Sequence, residues 1–290
     1  MTMPPSHPAT TGAASRGRAS ALLAVHAGVA AVTLDISLTA SALPAIAAGI
    51  GARPSEAVWI VNLYYLAVVA ALLPLGALGE IVGHRRVFAA GLALFAAGCL
   101  GCALAGSLPA LAAARAALGV GSAAVSATTP ALVRALHPPE RLGRGLGTYA
   151  LVVGVAFTVG PLAASAILSA TAWPFLYLLN LPVALLAFAL SARLLPETER
   201  DARRFDGASA ALCAGLFACL LGGVAAAAHG LGWPLPALAW LLAALLAHRL
   251  WRREAASTAP ILGIDLFRIP VFALSSATAL CAFATQGLML

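Results

Sequence analysis

One carboxylate and one guanidinium stand in stretches that are otherwise apolar. Asp35 interrupts a run that starts near Ala19 and extends towards Ile50, long enough to cross a bilayer at about 20 residues per span. An ionisable group at membrane depth costs about 2.5 to 3.5 kcal/mol on insertion scales, so it turns inward and usually has work to do. Gly28, Ala31, Asp35, Thr39 and Ala42 share one helical face, a small and polar stripe suited to other helices or water rather than lipid. A second stripe reads Ala112, Arg115, Gly119, Ser122, Ser126 and Thr129. Arg115 does not lose its proton and needs an acid, carbonyl groups or water around it. Asp35 is the one membrane-embedded acid in the first eight apolar runs that could serve. The protonation of Asp35 is then expected to follow conformation, which is what a proton-coupled carrier needs. A static pair that locks two helices is the alternative. Thr39, Ser122, Ser126 and Thr129 are the candidates to line a cavity.

The elements that must position these groups are membrane helices. Apolar residues make up 62% of the chain and charged residues 9%, with a mean hydropathy of +0.97. Soluble domains carry about 25% charge, so the composition describes an all-α polytopic membrane protein. Apolar runs fall at about 20–49, 56–79, 87–106, 109–132, 145–169, 173–194, 208–228, 235–251 and 270–290, and helices are the form in which such runs satisfy their backbone in lipid. Residues 1–18 read as a disordered cytoplasmic tail. A cleaved signal peptide is not expected, because the first run is too long for a signal core and Asp35 interrupts it.

The net charge of +7 comes from 17 basic residues, all of them arginine. Their placement between apolar runs speaks against a nucleic-acid partner. With a cytoplasmic N-terminus, 15 of the 17 fall in inside segments, Arg53 lies outside, and Arg115 lies within a helix. This is the positive-inside pattern at every loop. The seventh and eighth runs carry no polar stripe and are expected to be peripheral and lipid-facing. Cys99 and Cys102 match a C-x-x-C spacing, but inside a span with no thiolate-stabilising neighbour they read as small packing residues.

Two further stretches are informative. The turn from Gly76 to Phe88 holds Gly76, Gly79 and Gly83, and Glu80 with Arg85 and Arg86 can form a charge cluster at the cytoplasmic edge. The fifth run places Gly147, Ala150, Gly154, Thr158, Pro161 and Ser165 on one face, a pattern that usually means tight helix packing. Gly160-Pro161 sits mid-span, where proline removes a backbone donor.

Taken together these stretches resemble a known family. Leu34-Asp35 through Ala42-Leu43-Pro44 is similar to the L-D-x-T-x-x-N-x-A-L-P signature of the fourteen-helix drug:proton antiporters, a branch of the major facilitator superfamily. The Gly76–Phe88 turn resembles that superfamily's G-x-L-a-D-r-x-G-r-r loop, and Arg115 through Gly121 its R-x-x-Q-G-x-G helix. Gly154 with Gly160-Pro161 resembles the antiporter motif of helix 5. Trp173 through Asn180-Leu181-Pro182 resembles the W-R-W-x-F-x-I-N-x-P start of helix 6. Departures are Glu80 for the loop Asp, Ile81 and His84 for basic residues, Leu118 for Gln, Ala40 for Asn, and Ala164-Ser165 for a Gly pair.

The resemblance implies a six-helix N-terminal bundle over 19–195 and linker helices 7 and 8 within 196–252. It also implies the first helix of a C-terminal bundle within 253–290, approached through Pro260, Asp265, Arg268 and Pro270. It implies a proton-driven exporter of drugs or other small lipophilic or cationic compounds in the inner membrane, without a cofactor, present as part of a longer fold. Asp35 and Arg115 would couple protons, Gly76, Glu80, Gly83, Arg85 and Arg86 would form the cytoplasmic gate, and Gly154, Gly160 and Pro161 the helix 5 motif. A periplasmic adaptor is a possible partner by family analogy. The rivals are an exporter of one specific metabolite and a non-transporting remnant or scaffold. An intramembrane enzyme lacks the His/Glu or Ser/His spacings it would need.

Overall fold

The computed structural model describes residues 9–198, 200–201, 205–228, 230, 232–254 and 269–278, without the side chains of 9–16. Arg203, Arg204, His229, Pro260, Asp265, Arg268, Cys281 and residues 279–290 lie outside the described residues, as does the side chain of Arg16. The described chain forms eight long helices, α1 (Ala9–Ile50), α2 (Pro54–Val82), α3 (His84–Ala103), α4 (Leu108–Leu136), α5 (Leu142–Ala170), α6 (Pro174–Leu194), α7 (Gly207–Ala228) and α8 (Pro234–Glu254). All eight are long and apolar enough to cross a membrane. They coincide with the first eight apolar runs of the sequence. The ninth run is described only over 270–278, where the backbone is helical.

One element departs from expectation. The segment read as a tail is helical from Ala9 onward. Residues 9–18 contain no proline, so nothing in them blocks a helix nucleated in the span from running outward.

The helices end where the sequence supplies stops. Gly51 takes φ +70° after α1, and Pro54 opens α2 while Arg53 and Glu56 bond each other at 2.6 Å. Ser107 caps α4, its hydroxyl accepting the Ala110 N–H at 3.4 Å. Gly83 separates α2 from α3 with φ +104°, a conformation that side chains with a Cβ rarely adopt.

Helices α1 to α6 pack as one bundle, in which α3 lies on α4 and α6, α4 on α2, and α1 on α5 and α6. Phe88, Leu92 and Phe95 of α3 and Leu111, Leu118 and Leu132 of α4 are fully buried in its core. Helices α7 and α8 form a hairpin against α2. That peripheral place fits their lack of a polar stripe, and α8 exposes Leu238, Leu241, Leu242 and Leu245.

The hairpin is tied at one end through Asp206. Asp206 Oδ1 accepts the N–H groups of Ala208 and Ser209, each at 3.1 Å, and Oδ2 accepts the Ser209 hydroxyl at 2.8 Å. Arg253, near the end of α8, donates to both oxygens at 3.0 Å. Asp206 therefore caps α7 and joins it to α8, and these bonds hold its carboxyl well below the usual carboxylate range. A depressed folded value means that the stabilisation is complete above the ordinary carboxylate pKa and is lost as pH falls towards the folded value. The protection of the first-turn amides of α7 against hydrogen exchange, taken relative to the intrinsic rate at each pH, should thus fall on acidification below about pH 4. Asp206→Ala should weaken that turn by about 0.5–2 kcal/mol at pH 7 and remove the acid response. A protection factor in the variant that still falls with acid would refute this.

Candidate functional site

Asp35 on α1 and Arg115 on α4 meet in the middle of the bundle. Arg115 Nη1 donates to Asp35 Oδ2 at 2.6 Å, and each side chain is 1% exposed. The pair anticipated from the two stripes is therefore formed, and it is sealed from both membrane and solvent. Among the described residues no other acid pairs with a base at such depth.

Two further helices, α2 and α6, complete the surroundings. The Arg115 guanidinium carbon lies 4.3 Å from the Tyr64 ring centre and 5.9 Å from that of Tyr177, and Nε points at the Ile60 carbonyl at 3.5 Å. A cation over a desolvated aromatic face gains about 2 kcal/mol. Tyr64 comes this close because residue 119 is glycine. A Cβ there would stand 2.5 Å from the Tyr64 carbonyl oxygen and 3.0 Å from Ala67. Asn180 of α6 is fully buried beside Asp35, the Tyr177 hydroxyl lies beside Thr39, and the Tyr64 hydroxyl lies beside Ser122. Two tyrosines and an asparagine thus share the site with the charge pair. They escaped the sequence reading as site residues, although Asn180 stood inside one of the quoted motifs.

The four cavity-lining candidates divide. Thr39, Ser122 and Thr129 are buried and Ser126 is half-buried. Ser122 and Thr129 donate to carbonyls one turn back on their own helix, Leu118 at 3.0 Å and Val125 at 2.7 Å. Only Thr39 and Ser122 adjoin the charge-pair cluster.

The face of α5 expected to pack tightly does not do so within this chain. Gly147, Ala150, Gly154, Thr158, Pro161 and Ser165 are all exposed, and a Cβ at Gly147 or Gly154 would meet nothing within 4 Å. The buried face is Gly145, Ala156, Gly160 and Ala164, one step around the helix. Small residues permit close approach, but they do not say which side receives it.

Gly160 and Pro161 nevertheless join the site through α1. A Cβ at Gly160 would collide with Ser37. Pro161 has no N–H to give to the carbonyl four residues earlier, that of Phe157. The Ser37 hydroxyl donates to that same carbonyl at 2.7 Å. The glycine admits α1, and the serine replaces the bond that the proline removes.

At the arginine-bearing end the gate residues gather around 192–201. Arg85 donates to the Ala192 carbonyl, the His84 N–H donates to Thr198 Oγ1 at 2.9 Å, and the Asp201 N–H donates to the Glu80 carbonyl at 2.8 Å. Gly83 faces Thr198 and Arg200. Arg86 diverges into an apolar groove with Leu75, Leu78 and Leu94. Gly76 lies mid-helix, with room for a Cβ at 3.8 Å from Ala127. The turn is held by the segment after α6 and is not closed by its own charges alone.

Cys99 and Cys102 are free and buried. Among the described residues no group of three or more His, Cys, Asp or Glu gathers to hold a metal ion.

An all-helical, multi-pass bundle built round one embedded charge pair defines a polytopic membrane protein with a polar centre. The Major Facilitator Superfamily model matches residues 25–290, and the chain belongs to that superfamily. It is 37% identical over 273 residues to the uncharacterized transporter YebQ of Escherichia coli, a match covering 93% of this chain and 60% of the relative. It is 34% identical over 271 residues to the tetracenomycin C resistance and export protein of Streptomyces glaucescens, covering 92% and 50%. Among solved structures, the human organic anion transporter MFSD10 superposes with a TM-score of 0.56 at 19% identity, covering 70% of this chain and 55% of that one, a likeness of fold. The chain thus spans about half the length of the relatives it matches.

Ser37→Ala should leave the Phe157 carbonyl without its partner and lower stability by about 1–3 kcal/mol, read as a drop in the thermal midpoint in detergent. Ser37→Thr keeps the hydroxyl and should restore most of it. Equal losses from both substitutions would mean that packing against Gly160, and not the bond, is what matters.

Proposed function

We propose that this chain is the N-terminal portion of a proton-coupled exporter in the fourteen-helix antiporter branch of the superfamily. It sits in the inner membrane with its N-terminus cytoplasmic and expels small lipophilic or cationic compounds in exchange for protons. The observation that carries the reading is the buried Asp35–Arg115 bond at 2.6 Å. A relative named for tetracenomycin C resistance and export supports the direction and the substrate class.

The chemistry follows from what each partner can give up. Arg115 keeps its charge at every accessible pH, so Asp35 is the member of the pair that gains or loses a proton. Ionised, it holds Arg115. Protonated, it releases the guanidinium to the Tyr64 face and the Ile60 carbonyl, which already surround it. A cationic substrate that draws on the same carboxylate competes with the proton, and that competition is the exchange. Coupling of this kind needs no cofactor, since the proton gradient supplies the work. The turn at Gly83, with Glu80, Arg85 and Arg86, would govern access from the arginine-bearing side.

The test is substrate-induced proton release from the purified protein, comparing the wild type with Asp35→Asn. Adding a lipophilic cation should release protons from the wild type and none from the variant. Equal release from both would remove Asp35 from the mechanism. No release from either folded protein would favour a non-transporting scaffold.

A further inference from the structure

At the end of the α7–α8 hairpin lies a cavity of about 680 Å³ lined by Ala208, Ala211, Leu212, Arg249, Arg252 and Arg253. Three guanidinium groups serve one opening. Asp206 holds one of them, Arg253, by two bonds and fixes it in place. Among the described residues Arg249 and Arg252 have neither an ion pair nor a hydrogen bond. They stand three residues apart, on one helical face. The cavity therefore presents two uncommitted positive charges next to a third that is anchored.

The apolar surface that leads to the cavity says what kind of anion suits it. Leu241 and Leu245 are exposed on α8, eight and four residues before Arg249 on the same stripe. At 1.5 Å per residue, Leu245 lies about 6 Å from Arg249 along the helix axis. Trp251, also exposed, stands at the same level as the arginines, where an indole marks a membrane–water boundary. A phosphate placed between the arginines would thus sit at headgroup depth, with hydrocarbon chains descending along the leucines. A free inorganic anion would make no use of that stripe.

We propose that the α7–α8 hairpin carries a binding site for an anionic phospholipid, its phosphate held by Arg249 and Arg252 and its acyl chains laid along Leu245 and Leu241. The site is separate from the charge pair at the bundle centre, and it stands or falls independently of the transport reading. Asp206 contributes by holding Arg253 at the rim, where that residue narrows the opening without spending its whole charge.

Native mass spectrometry of the purified protein in mild detergent tests the site. Phosphatidylglycerol and phosphatidylcholine with the same acyl chains are titrated, and inorganic phosphate is added as competitor. Phosphatidylglycerol should bind at least tenfold tighter than phosphatidylcholine and should stay bound in excess phosphate. Arg249→Gln with Arg252→Gln should weaken phosphatidylglycerol about thirtyfold, on the basis of two surface arginines near a phosphate, and leave phosphatidylcholine unchanged. The double lysine variant should keep most of the affinity. Arg141→Gln with Arg144→Gln removes the same charge elsewhere and should change nothing. If the double glutamine variant does not fold, Arg252→Gln alone should cost about fivefold. Equal binding of the two lipids would overturn the proposal. So would unchanged phosphatidylglycerol binding by the glutamine variants, an equal loss in the control pair, or displacement by inorganic phosphate.

Discussion

The bond between Asp35 and Arg115 sets the terms for the rest of the bundle. Two opposite charges out of water cost several kcal/mol each in desolvation, and only good geometry with additional polar contacts offsets that. Here such contacts are few: besides Asp35 the guanidinium has the Ile60 carbonyl and the rings of Tyr64 and Tyr177, while Asp35 Oδ1, both side-chain polar atoms of Asn180 and the hydroxyls of Tyr64 and Tyr177 are buried without a hydrogen-bond partner among the described residues. Lipid offers no hydrophobic force to press helices together, so association rests on packing and polar bonds. Gly119 shows the two working together, since the missing side chain is what lets α2 lay Tyr64 over the guanidinium.

Much of this is legible in the amino-acid sequence. Eight spans followed from length and hydropathy, because a helix in lipid has few alternatives. The charge pair followed by elimination, because one embedded acid and one embedded arginine have few other partners. Tyr64, Tyr177 and Asn180 were not recognised, and the reason is physical. Tyrosine is amphipathic, and in an apolar run its ring reads as core or as interface whichever way its hydroxyl points. The face of α5 was misplaced for a related reason. Glycine and alanine recur on two neighbouring faces of that helix, and periodicity cannot choose between them when both are small. The gate turn was recognisable as a turn, but its partners on 192–201 are more than 100 residues away and leave no local trace.

The hairpin of α7 and α8 follows a different logic from the bundle. Its helices carry no charged residue at mid-span. The tie sits at one end, where Asp206 serves as helix cap and ion-pair partner at once. A carboxylate near the start of a helix is favoured by the helix dipole as well as by the free N–H groups. One residue thus orients the hairpin and positions the arginine-rich rim.

Asp35 and Ser37 give α1 two polar commitments that point in different directions. Two residues along a helix are about 200° apart around it, so Asp35 faces α4 and α6 while Ser37 faces α5. The second commitment is costly to break. The Phe157 carbonyl has already lost its helical donor to Pro161, and it would be left unpaired in a non-aqueous setting. Rotation of α1 about its own axis, the simplest way to turn Asp35 towards water, breaks that bond. A tilt that carries α5 along with α1 preserves it. α5 packs extensively on α1 and only sparsely on α4 and α6, so the contacts that oppose such a paired movement are those of α1 alone. A movement of α1 that keeps the Ser37–Phe157 bond therefore carries α5 with it, and Gly160, Pro161 and Ser37 are the residues that join the two helices.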